Sequence, residues 1–108
     1  MQTFAIDVIR FAGTPPRYGA YPIISNQLVR AATSVGANYR AACRAKSRPD
    51  FLSKMKVVEE ECDESVYWLE LLEVMGRVNL QEATRLLKEG NEILSIIVAS
   101  IKTARSAR

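Results

Sequence analysis

Two helical patterns joined by a capped turn fill about fifty consecutive residues, and that stretch commits the middle of the chain to a helical hairpin. The first pattern covers residues 23–46. Ile24, Leu28, Ala31, Val35, Asn38, Tyr39 and Ala42 recur on one face at spacings of three and four. The second covers residues 48–76, with Phe51, Met55, Val58, Cys62, Val66, Leu69 and Leu72 as its apolar stripe and Gly76 as its stop. Between them Ser47 is followed three residues later by Asp50, a capping-box arrangement that satisfies amides at a helix start.

Helical patterns flank this hairpin. Residues 2–13 hold Phe4, Ile6, Val8, Ile9 and Phe11 with only Asp7 and Arg10 charged, so this short helix is expected to be buried on more than one side. Residues 14–22 contain three prolines and a glycine, and read as a loop. Asn79 and Glu82 cap a last helix over residues 80–105, where Ala83, Leu87, Gly90, Leu94, Ile97, Ile101 and Ala104 repeat with a period near 3.5. With 108 residues and no strand pattern, the chain reads as one all-α domain, an antiparallel up-down four-helix bundle with a short first helix. That helix spans about 18 Å against about 40 Å for the third. The rest must be covered by the proline loop or by another subunit.

Composition removes several kinds of chemistry. The chain has no histidine, which takes away the commonest general base and transition-metal ligand. No catalytic, cofactor or metal-ligand set is assigned, and no small-molecule substrate is expected. Two cysteines, Cys43 and Cys62, are too few for a disulfide framework. They are expected to be core thiols whose heights differ by roughly 13 Å, too far to bridge. The N-terminus lacks a signal-peptide pattern and no apolar run approaches a membrane span, so a cytoplasmic protein with no membrane partner is expected. Residues 1–56 carry nine Lys/Arg against two acids, net +7, whereas residues 57–108 carry six against ten, net −4.

Three side-chain groups stand out. Arg30, Arg40 and Arg44 fall within an arc of roughly 80° on the second helix, extended by Lys46 and Arg48, and such a stripe can follow phosphates. A solvated or ion-paired face is the plainer alternative. Glu59, Glu60, Glu61, Asp63 and Glu64 cluster on the third helix. Their like charges at i, i+4 call for a basic partner, either the second helix or a neighbouring subunit. Trp68, Leu71 and Met75 project away from the third helix's core stripe, and Ile93 and Ile96 widen the apolar arc of the fourth. These five predict an oligomer interface.

The stretch Gln27-Leu28-Val29-Arg30-Ala31-Ala32-Thr33-Ser34-Val35-Gly36-Ala37-Asn38-Tyr39-Arg40, continuing to Ser47, then Asp50-Phe51, Glu60 to Glu64 and Tyr67-Trp68-Leu69-Glu70-Leu71-Leu72, resembles the bacterial four helix bundle protein family, also called the ribosomal RNA intervening-sequence protein family. Ile97 to Ala104 fits it too. The first helix is short for that family, which points to an incomplete N-terminus. The resemblance implies an up-down bundle assembled as a ring-like homopentamer, with genes often lying within intervening sequences of large-subunit ribosomal RNA genes. It also implies a distant relationship to an accessory protein of a retroelement reverse transcriptase. It carries over no catalytic residues; Arg40 and Arg44 match recurrent basic positions. The expected function is therefore a non-enzymatic homo-oligomer that binds RNA through basic surface. The alternatives are a scaffold with no nucleic-acid partner, or an accessory subunit of a reverse transcriptase.

Overall fold

Helix signals at each boundary place four helices, α1 (Gln2–Ala12), α2 (Tyr21–Cys43), α3 (Arg48–Met75) and α4 (Leu80–Ser106), in a computed structural model that describes residues 1–107. Asn79 Oδ1 accepts the Glu82 amide at 3.1 Å, but the Glu82 carboxylate turns away to Arg85, so only half of that box forms. At α3, Ser47 Oγ accepts the Asp50 amide at 3.2 Å. The return bond runs from the Lys46 amide to Asp50 Oδ2 at 3.1 Å, one residue before the position the pattern assigns.

That return bond explains why α2 is shorter than the sequence suggests. The helix ends at Cys43 rather than at residue 46, because Lys46 is held by the next helix's cap and Ser47 is extended at φ −159°. At its other end α2 begins at Tyr21, since Pro22 sits in the first turn, where its missing N–H is not needed. The Tyr21 hydroxyl shares its hydrogen between the carbonyls of Met75 and Gly76, at 3.3 and 3.1 Å, tying the start of α2 to the end of α3.

Each helix packs on its neighbours in chain order, and α1 closes against α4. The result is an antiparallel up-down bundle measuring 50 × 19 × 19 Å. Its core has two parts. The upper part draws on all four helices and includes Phe4, Val8, Phe11, Leu28, Leu69, Leu72 and Leu86. The lower part is buried by only three: Val35 and Ala42 of α2, Met55, Val58 and Cys62 of α3, and Ile97 and Ile101 of α4. The 11 residues of α1 cover about 17 Å of a bundle whose α3 runs about 42 Å. The proline loop does not make up the difference, because it lies beyond Ala12 at the opposite end.

Several expectations change for this reason. Tyr39 is exposed and Phe51 half-buried, although both belong to apolar stripes, because no helix stands over them. Cys43 is exposed rather than a core thiol, for the same reason. On α1 only one side is buried, and Ile6 and Ile9 are 40% and 49% exposed. Leu86, not Leu87, is fully buried on α4, since α1 docks on that flank and draws it inward. Trp68, Leu71 and Met75 are half-buried against the upper core of their own chain, together with Ile93. The buried arc of α3 is wider than its central stripe because α2 and α4 both press on it.

Candidate functional site

Antiparallel folding turns the charge asymmetry along the sequence into one along the bundle axis. The end where α2 and α4 finish and α3 begins gathers Arg40, Arg44, Lys46, Arg48, Lys54, Lys56, Lys102 and Arg105, against Asp50 and Glu59. Eight bases meet two acids there. The remaining described residues carry six bases and ten acids. Part of this pattern serves the fold, because cations near helix C-termini offset the exposed carbonyls.

The five predicted basic residues have separate placements. Arg30 lies farther up and bridges Glu61 at 3.3 Å and Glu64 at 2.5 Å on α3. Its hydrogen bond holds the Glu64 carboxyl below the usual carboxylate range, with the Trp68 indole N–H adding to this from 3.3 Å. The basic partner sought by the acidic cluster is thus supplied in part within the chain. Arg48 donates to the carbonyls of Ala104, at 3.3 Å, and Ala107, closing the C-terminus of α4. Arg40, Arg44 and Lys46 are exposed, and their side chains form no ion pair among the described residues. Lys102 and Arg105 join them on α4, also unpaired. In the sequence that tail reads as a basic end that frays; the i, i+3 spacing of the two residues is the signal that they share a helix face.

Beside this end lies an open corner. Below Met1 the space that a longer α1 would fill is a groove. Its α2 wall, including Gly36, Tyr39, Arg40, Cys43 and Arg44, bounds about 580 Å³. A second, separately lined hollow of about 520 Å³ is bounded by Ile96, Ser100, Thr103 and Ala104 of α4 with Phe51 of α3. Cys43 opens onto the groove below Met1, whereas Cys62 is buried and donates its S–H to the Gly90 carbonyl at 3.5 Å. Burial, with the nearby Asp63 charge adding to it, pushes the Cys62 thiol up to about 11. A thiolate-selective reagent such as DTNB should therefore titrate one cysteine in the native protein and two after denaturation. Two fast-reacting thiols under native conditions would contradict the burial of Cys62. No group of three or more potential metal ligands gathers among the described residues, and no helix there is long and apolar enough to cross a membrane.

Known proteins can be set beside this geometry. A family model described as 23S rRNA-intervening sequence protein matches residues 1–99. Among solved structures, a protein of unknown function from the S23 ribosomal protein family of Bacteroides thetaiotaomicron is 30% identical, with a TM-score of 0.83 over 94% of each chain. No curated protein matches the chain.

Proposed function

Because the chain belongs to the 23S rRNA-intervening sequence protein family, we propose that it is a non-catalytic homo-oligomeric bundle that holds RNA at its basic end. The observation that carries this reading is the set of exposed cations at one pole that form no ion pair among the described residues, Lys46, Lys102 and Arg105 with Arg40 and Arg44 beside them. Phosphates are the natural counter-charge for such a pole, so binding is sequence-nonspecific. In a ring whose axis runs along the bundles, every basic end lies on one face. Linked weak sites then gain avidity.

The test is fluorescence anisotropy with single-stranded RNA between 50 and 200 mM salt. Affinity should fall steeply as salt rises. Lys46→Ser with Lys102→Ser and Arg105→Ser should flatten the log–log slope by up to roughly 2 per chain, at about 0.7 for each phosphate that no longer has a cation beside it. A scaffold with no nucleic-acid partner is the second reading, favoured by the internal use of Arg30 and Arg48. An absence of binding at 50 mM salt would decide for it.

A further inference from the structure

At the end of the bundle opposite the basic pole, the proline loop and the first turns of α2 border a hollow of about 320 Å³. That volume lies at the small end of the range for ligand pockets. Ala12, Pro15, Pro16 and Pro22 give the hollow apolar sides. Its polar side chains are those of Arg17, Ser25 and Asn26, and no acid lines it.

Ser25 is out of keeping with the other helical hydroxyls. Thr33, Ser65, Ser100 and Ser106 each donate to the carbonyl four residues back, those of Val29, Glu61, Ile96 and Lys102. Ser25 is only 6% exposed, yet its Oγ has no hydrogen-bond partner among the described residues. It makes no bond to the Tyr21 carbonyl and lines the hollow instead. Buried polar atoms are nearly always paired. Arg17, exposed beside it, forms no ion pair among the described residues. Two unmet polar groups thus share one hollow.

We propose that this hollow binds a small organic carboxylate, held by Arg17, Ser25 and Asn26 with its hydrocarbon part against the prolines. All three side chains can donate, and a guanidinium matches the fork of a carboxylate. One cation balances one negative charge, whereas a phosphate dianion would keep a charge uncompensated. The apolar sides suit a hydrocarbon body rather than an inorganic ion. The helix ends agree with this. The first turn of α2 has neither a capping side chain nor an acid, so its positive end is free to favour an anion. At the negative end of α1, the carbonyls of Arg10 and Phe11 already accept the Gly13 and Thr14 amides, at 3.4 and 3.0 Å. The prolines fix the wall's backbone, which keeps the cost of ordering it low. None of these residues belongs to the cations proposed for RNA, so the two readings are independent.

Titration of the isotope-labelled protein with isobutyrate, followed by amide chemical shifts, tests the assignment. Saturable shifts should appear between Ala12 and Asn26. Isobutyramide, a neutral analogue of the same shape, should produce none. Inorganic phosphate at matched ionic strength should bind more weakly than isobutyrate. Arg17→Gln should weaken isobutyrate binding by about tenfold or more and Ser25→Ala by about fivefold, with helical circular dichroism unchanged. If isobutyrate gives no saturable shift, if isobutyramide binds as well, or if either variant keeps the wild-type affinity, the hollow is not a carboxylate site. Tighter binding of phosphate would overturn the choice of carboxylate.

Discussion

Replacing Phe4 with alanine should destabilise the protein by about 3–5 kcal/mol, the range for deleting a fully buried ring. Phe4 has no exposed surface, and its ring packs beside Gly90 of α4 in the four-helix part of the core. The effect should exceed that of an ordinary core truncation in one respect. An 11-residue helix is marginal in water and depends on docking for its existence. The burial of α1 comes from only four residues, Phe4, Ala5, Val8 and Phe11. Losing the ring at Phe4 should therefore free the whole helix and uncover Leu28, Ala32 and Leu86 beneath it. Urea denaturation should show the lower midpoint. Hydrogen exchange should show residues 2–12 losing protection before α2, α3 and α4 do. A change under about 1 kcal/mol, with α1 still protected, would mean that the other three side chains hold the helix unaided.

The same shortness of α1 separates what was legible in the sequence from what was not. Caps depend on one side chain and an amide three residues away, so Ser47 and Asn79 mark their helices in the sequence and in the fold alike. The stripe on α3 is legible for a similar reason: Met55, Val58, Cys62, Val66, Leu69 and Leu72 are all buried. Periodicity reports which face is apolar, however, and not whether a neighbour reaches it. Tyr39 and Phe51 belong to apolar stripes as Leu28 and Val35 do, yet lie below the point where α1 begins. For Trp68, Leu71 and Met75 the reverse holds: they sit off the central stripe, but two flanking helices widen the buried arc to include their edges. The candidate site was legible in its charge and not in its shape. A count along the chain gives the imbalance, but only antiparallel folding brings Lys102 and Arg105 to the same end as Arg44 and Lys46. Nor does helical spacing reveal that Arg30 will find Glu61 and Glu64 across the α2–α3 contact.

Gly90 shows how closely that packing is set, and Gly90→Leu should be the most damaging single change on α4, lowering stability by more than about 3 kcal/mol through overpacking. A glycine in the middle of a 27-residue helix costs about 0.8–1 kcal/mol relative to alanine. Something must favour its retention, and the geometry supplies it. A Cβ added at Gly90 would stand 3.1 Å from the Val66 Cγ2 methyl of α3 and 3.5 Å from the Phe4 ring of α1. Val66 is β-branched and stiff at χ1, so its methyl cannot simply swing aside. Alanine would gain helix propensity and strain that contact, leaving a net change within about 1 kcal/mol of zero. Leucine adds three more carbons where α1, α3 and α4 meet, and its only outlets are to displace Phe4 or to separate α4 from α3. Either route also disturbs the Gly90 carbonyl that accepts the Cys62 thiol. Thermal or urea unfolding of the two variants checks the pair, and adding Val66→Ala should relieve part of the strain in Gly90→Ala. Should Gly90→Leu unfold like the wild type, α4 would have room against α3 and α1 that this packing does not contain.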